Sequence, residues 1–188
     1  MSAVTHELLL GGARSGKSRT AESRAGGWLA SDPTHRATLV ATALAGDPEM
    51  AARIAWHRAD RGARVPALET VEAPQALGAT LRRLAHPRRL LVVDCLTLWL
   101  TQCLLPPAGA PPGRPWAQEK EELLAALRHG ASPVVLVSNE IGLGVVPLSR
   151  EARACVDALG ELHQAVAALC GRVTLMVAGC ELRVKDLA

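Results

Sequence analysis

Six short apolar runs constrain the fold of this chain more than any other feature. They read ELLLG (7–11), ATLVAT (37–42), LETVE (68–72), RLLVVD (89–94), PVVLVS (133–138) and RVTLMVAG (172–179). Several are apolar at consecutive positions, which marks strands buried on both faces, as in a parallel sheet covered by helices. Between them lie helical patterns near 17–30, 47–60, 74–85, 95–104, 116–129 and 149–170. Such alternation predicts an α/β fold with a doubly wound, mostly parallel sheet, its right-handed crossovers placing helices on both faces. A length of 188 residues without an internal repeat predicts a single domain over 1–188.

The core has to be built without Phe or Tyr, which are absent; Leu, Val, Ala, Ile and four Trp remain for it. A net charge of +3 with acids and bases interleaved describes an ordinary solvated surface, not a nucleic-acid patch. Five cysteines (Cys95, Cys103, Cys155, Cys170 and Cys180) show no CxxC pairing and read as buried free thiols of a reducing compartment. The opening MSAVTHELLL has no basic region and only a three-residue apolar run, so it reads as strand rather than signal peptide. No apolar run approaches the roughly 18 residues of a membrane span. The expected location is the cytoplasm. LPPAGAPPGRP (105–115) is too rich in Pro and Gly for a helix or central strand and reads as a surface loop.

The first run leads into GGARSGKS. Gly11, four residues, then Gly16-Lys17-Ser18 fits GxxxxGK[ST]. Glycines let the backbone curl until successive N–H groups face phosphate oxygens. Lys17 then reaches the β- and γ-phosphates, the Ser18 hydroxyl serves Mg²⁺, and the following helix adds its positive N-terminal end. A strand before and a helix after are the context such a loop needs. Asp94 closes the run LLVVD and so stands on the ligand side of the sheet. It suits either Mg²⁺ or the N-cap of the next helix.

In DPEMAARIAWHRADR (47–61), Asp47 and Pro48 start a helix on which Met50, Ile54 and His57 share one face and Glu49 and Arg53 form an i,i+4 pair. A lone His below an apolar stripe fits a packed core. That is the usual role of such a His, yet neutral imidazole is also suited to attack an α-phosphate and form a phosphoramidate. Arg58 and Arg61 follow and suit bidentate phosphate contacts. Later, VLVSNEIGLGVVPLSREAR (135–153) ends a strand in Ser-Asn-Glu before an irregular loop. Asn139 and Glu140 there fit either a long turn or a site.

GGARSGKSR, DPEMAARIAWHR, VVDCLT and VSNEIGLGVVP, in that order, resemble the bifunctional adenosylcobinamide kinase / adenosylcobinamide-phosphate guanylyltransferase family of cobalamin biosynthesis, over nearly the whole chain. The resemblance implies two reactions. The aminopropanol hydroxyl of adenosylcobinamide is phosphorylated by a nucleoside triphosphate, ATP or GTP. GMP then passes from GTP onto that phosphate, giving adenosylcobinamide-GDP and pyrophosphate.

The matching nucleophile, which carries GMP covalently, is His57; some relatives have a second His just before it, where this chain has Trp56. The implied nucleotide contacts are Gly11, Gly12, Ala13, Arg14, Ser15, Gly16, Lys17 and Ser18, then Ala41, Thr42 and Ala43, then Arg58, Ala59, Asp60 and Arg61, with Glu72 and Asp94. The resemblance also implies a homotrimer with a core like that of recombination ATPases, GTP, ATP and Mg²⁺ as cofactors, and neither nucleic acid nor membrane as partner. Two other readings fit the loop alone: a P-loop small-molecule kinase without a covalent intermediate, and a non-catalytic nucleotide switch or assembly ATPase. The last expects DNA-binding loops with clustered cations and aromatics, which this chain lacks.

Overall fold

A computed structural model describes residues 5–46, 48–106 and 113–187, with Arg53 through its backbone alone. The expected helix start at Asp47, the Glu49–Arg53 pair, most of the Pro-rich loop and the first four residues of MSAVTHELLL lie outside the described residues. In chain order the elements are β1 (Glu7–Gly11), α1 (Lys17–Ser31), β2 (Arg36–Ala41), α2 (Pro48–Arg64), β3 (Leu68–Glu72), α3 (Leu77–Leu84) and β4 (Arg89–Asp94). They continue with α4 (Leu96–Leu104), α5 (Trp116–His129), β5 (Val134–Val137), α6 (Arg150–Leu169), β6 (Arg172–Val177) and β7 (Cys180–Asp186).

The strands form one sheet in the order β3-β2-β4-β5-β1-β6-β7. All neighbouring pairs are parallel except β6 with β7. The expected doubly wound, mostly parallel sheet is therefore present. From β1 the chain moves through β2 to β3 at one edge, then returns through β4 and β5 to β6. Right-handed crossovers send helices of the outward path to one face and those of the return path to the other. The packing agrees. Ala21 and Ala25 of α1 lie on Leu9, Leu39, Val92, Val135 and Val137. Side chains of α3 to α6, among them Leu81, Trp99, Leu123 and Leu162, cover Leu8, Val40, Val93 and Leu136 on the opposite face. Neighbours such as Leu8 and Leu9, or Val92 and Val93, thus belong to different halves of the core. That is the physical reason the strand runs are apolar at consecutive positions.

Trp99, fully buried, packs against Trp116 with ring centroids 5.2 Å apart and supplies bulk that Phe and Tyr would otherwise give. Reversal of the winding opens crevices at the carboxyl ends of the strands, between β2 and β4 and between β5 and β1.

Three details differ from the sequence expectation. The sixth run was read through 179, whereas β6 stops at Val177, turns on Ala178 and Gly179, and pairs with β7, a strand not anticipated. Both turn residues have positive φ (52° and 80°), the requirement of a tight hairpin matched to strand twist. α3 starts at Leu77, because Ala76 adopts φ 50° and breaks the helix before it. Cys180 is exposed, not buried; Cys95 and Cys170 are buried, and all five thiols are free. Burial pushes the Cys95 thiol up to about 11 and the Cys170 thiol up to about 12, which leaves both protonated and unreactive near neutral pH. Among the described residues no helix is long and apolar enough to cross a membrane.

Candidate active site

The loop between β1 and α1 curls through three left-handed residues, Gly11 (φ 151°), Arg14 (φ 55°) and Gly16 (φ 103°). A β-carbon on Gly11 would stand 2.5 Å from the Met176 carbonyl oxygen and 2.7 Å from Ser15 Oγ, so no side chain fits there. Gly12, Ala13 and Arg14 are exposed, and Ser15 is buried. Lys17 Nζ donates to the carbonyls of Gly11 (2.8 Å) and Gly12 (2.6 Å) and lies 3.4 Å from Ser15 Oγ. Burial lowers the Lys17 pKa, opposed by the nearby Cys95 and Asp94. α1 begins with no acidic residue in its first turn and no side-chain cap, so its free N–H groups and positive end face the loop. The loop is braced from outside, because Gly179 at the β6–β7 turn donates its N–H to the Ser15 carbonyl at 3.0 Å.

Across the sheet, Glu72, Ala41 and Asp94 share one register row at the ends of β3, β2 and β4. Thr42, just beyond β2, is fully buried. Its hydroxyl accepts from the Cys95 N–H and donates to the Cys95 carbonyl, both at 2.8 Å, and its own N–H donates to the Asp94 carbonyl at 3.1 Å. Thr42 therefore ties the ends of β2 and β4 together and fixes the backbone that carries Asp94. The Asp94–Cys95 peptide is cis. Ala43, half-buried, follows at the same crevice.

α2 stands beside this edge. His57 is half-buried, its ring edge-on to the exposed Trp56 with centroids 5.0 Å apart. Arg61, one turn later, is buried and donates to Thr70 Oγ1 at 3.2 Å. Burial lowers its pKa, opposed by the carboxylates of Glu22 and Asp94. Arg58 pairs with Glu72; Arg64 pairs with Glu22 and, at 2.7 Å, with Asp60. Ala59 is exposed. Arg58, Arg61, Val65, Leu68, Thr70 and Glu72 line a groove of about 430 Å³ between α2 and β3. The Asp94 carboxylate favours the charged form of both Lys17 and Arg61, a lesser effect than the burial that lowers their pKa values.

Ser18, second residue of α1, and Asp94 are both half-buried. Among the described residues no three His, Cys, Asp or Glu side chains converge as a metal cage. Two hard oxygen donors at a phosphate loop fit Mg²⁺, which keeps water and takes phosphate oxygens instead of an all-protein cage.

Residues that the sequence reading did not single out also build the site. Gly179 braces the loop. His163, buried on α6, lies 2.7 Å from Ser138 Oγ and 3.6 Å from Glu140. The A-G dipeptide before C-E-L-R-V-K-D, with its regular alternation, was the available signal for the hairpin. Nothing in the α6 pattern distinguishes His163 from its apolar neighbours.

The family described as "Cobinamide kinase / cobinamide phosphate guanyltransferase" matches residues 7–184. The bifunctional adenosylcobalamin biosynthesis protein CobP of Pseudomonas aeruginosa is 50% identical over 179 residues, 95% of this chain and 96% of that protein. The bifunctional adenosylcobalamin biosynthesis protein CobU of Escherichia coli is 35% identical over 95% of this chain and 98% of its own length. In fold, the chain resembles the crystal structure of the flagellar accessory protein FlaH from Methanocaldococcus jannaschii. That likeness has a TM-score of 0.54 at 12% identity and covers 97% of this chain and 78% of that one. With its phosphate loop and its match across almost all of the sheet, the chain belongs to the cobinamide kinase / cobinamide phosphate guanyltransferase family of enzymes.

Proposed function

We propose that this protein phosphorylates the aminopropanol hydroxyl of adenosylcobinamide with ATP or GTP. It then transfers GMP from GTP to that phosphate through a covalent adduct on His57. What supports this reading is the glycine-curled loop with Lys17 held on the carbonyls of Gly11 and Gly12, in a chain that matches the cobinamide kinase / cobinamide phosphate guanyltransferase family over residues 7–184.

The residues divide the work as follows. The backbone from Gly11 to Ser18 and the start of α1 cradle the phosphates, and Lys17 turns from the carbonyls of Gly11 and Gly12 to the β- and γ-phosphate oxygens. Ser18 and Asp94 hold Mg²⁺, which when bound neutralises phosphate charge. Arg61 and Arg58 face the pyrophosphate that departs when a ring nitrogen of His57 attacks the α-phosphorus. Ala41, Thr42, Ala43, Ala59, Asp60 and Glu72 shape the nucleotide's surroundings, and Arg14 offers an outward cation to a phosphate or a neighbouring subunit. The adduct is then displaced by the phosphate of adenosylcobinamide phosphate, splitting one displacement into two.

The molecule works as a homotrimer in the cytoplasm. The exposed apolar side chains of Leu182 and Val184 on β7 and of Leu143, Val145 and Leu148 after β5 support association between copies.

The test is incubation with GTP labelled in the α-phosphate, which is expected to leave an acid-labile, base-stable label on His57. His57→Ala is expected to lose the label and keep phosphorylation of adenosylcobinamide. Equal labelling of folded His57→Ala removes the covalent step and leaves a simple kinase.

A further inference from the structure

Behind the phosphate loop lies a polar chain that the two reactions above leave without a task. It crosses three elements. Thr97 Oγ1 of α4 accepts the Asn139 N–H at 2.8 Å and lies 3.1 Å from Ser138 Oγ. Ser138 Oγ lies 2.7 Å from Nε2 of His163 on α6, and His163 Nδ1 is 3.6 Å from Glu140 Oε2. The other carboxylate oxygen, Oε1, accepts the Gly142 N–H at 2.8 Å.

The hydrogens of this chain run in one direction. The Glu140 carboxylate can only accept, so His163 carries its hydrogen on the Nδ1 that faces it. Nε2 then accepts the Ser138 proton, and Thr97 gives its own proton to Ser138. Ser138 is fully buried and His163 is 7% exposed, so the arrangement is fixed away from water. Glu140 reaches the surface, with 22% of its side chain accessible.

Its place matters. β5 lies between β1 and β4 in the sheet. The Ser138 N–H donates to the Leu9 carbonyl at 2.9 Å and the Glu140 N–H to the Gly11 carbonyl at 3.0 Å. Glu140 is thus bonded through its backbone to the first residue of the phosphate loop, at the crevice between β5 and β1.

We propose that Glu140 is the general base of the phosphorylation step and that His163, through Ser138 and Thr97, is the residue that positions it. This rests on the kinase reading above. The acceptor hydroxyl oxygen bonds to the γ-phosphorus as the bond from that phosphorus to the β–γ bridging oxygen breaks. The nucleoside diphosphate leaves with the electron pair, and the hydroxyl proton passes to the Glu140 carboxylate and from there to water. His163 stays neutral and holds the carboxylate toward the acceptor. The later attack by a phosphate that is already ionised needs no such base, so the two half-reactions differ in their need for Glu140.

The experiment measures two labels on purified full-length variants: γ-phosphate transfer to adenosylcobinamide, and α-phosphate labelling of the protein by GTP. Glu140→Gln is expected to lower kcat for phosphorylation about 10²- to 10⁴-fold, the range of general-base catalysis, while KM for the nucleotide and α-labelling stay near wild type. Two replacements of His163 separate positioning from packing. Asn keeps a donor near the place of Nδ1, and Gln keeps a polar group near the place of Nε2. His163→Asn is expected to retain far more phosphorylation than His163→Gln. The assignment is overturned if Glu140→Gln phosphorylates at the wild-type rate, or if both His163 variants lose activity equally. A wild-type protein that makes no phosphorylated product overturns the kinase reading together with this one. An active wild type with an active Glu140→Gln overturns this one alone.

Discussion

The N–H of Gly179 donates to the carbonyl of Ser15 at 3.0 Å, so the tip of the last hairpin braces the phosphate loop across the sheet end. Gly179 has φ 80°, and a β-carbon added there meets nothing within 4 Å. Substitution therefore acts through backbone strain rather than collision. Gly179→Val puts a β-branched residue in a left-handed conformation, at a cost of about 1–2 kcal/mol. At this chain length the expected fall in Tm is roughly 2–8 °C by thermal melting. The brace also loosens, so KM for GTP is expected to rise more than kcat falls. An unchanged KM in a variant with a lowered Tm would separate the hairpin from the loop's function.

Thr42→Val tests the tie between β2 and β4. Valine keeps the shape and removes the hydroxyl, which leaves the buried N–H of Cys95 without its 2.8 Å acceptor. An unsatisfied buried group of this kind costs about 1–3 kcal/mol. Since the same tie fixes the backbone of Asp94, the Mg²⁺ concentration for half-maximal activity is expected to rise in both reactions. Thr42→Ser restores the hydroxyl and is expected to restore both readouts. Failure of serine to do so assigns the effect to packing.

These two residues mark how far the sequence could be read. The inner strands were legible because strands covered on both faces are apolar at consecutive positions, and the phosphate loop because Gly11 and Gly16 stand at backbone positions that disfavour side chains. β7 was not read as a strand even though C-E-L-R-V-K-D alternates cleanly. Its apolar side chains Leu182 and Val184 point out of the chain, so the alternation records no buried face. The hydroxyl of Thr42 meets a partner 53 residues away, and His163 meets Ser138 from 25 residues away. Such bonds have no local pattern, because the topology of the sheet alone decides which strand ends become neighbours.

Lys17→Ala removes a charge that spans the carbonyls of Gly11 and Gly12. In the folded protein those carbonyls remain beside a helix start with no acidic residue and no side-chain cap. The expected result is a loss of phosphate affinity common to both reactions, seen as weaker GTP and ATP binding by calorimetry. His57→Ala, in contrast, is expected to bind GTP and ATP normally. Equal affinities in the two variants would remove Lys17 from the phosphate site.

Stability below neutral pH should depend on His6. Its Nδ1 accepts the Val134 N–H at 3.2 Å, which leaves the proton on Nε2 to donate to the Leu127 carbonyl at 2.9 Å. A second proton would have to enter at Nδ1 and break the bond to Val134. Burial accordingly lowers the His6 pKa below 6.5, only partly opposed by the bond to Leu127, and burial lowers that of His163 as well, opposed by Glu140. In the unfolded chain both take up protons near 6.5, so below that pH the unfolded state binds more protons than the folded one. Stability therefore falls with pH, beginning near 6.5 and continuing until the depressed folded values are passed. Thermal melts from pH 8 to pH 5 are expected to show Tm level at first and declining below about 6.5. His6→Asn cannot gain a proton and is expected to start from a lower Tm with a shallower decline. An identical slope in the variant would assign the acid sensitivity to other groups.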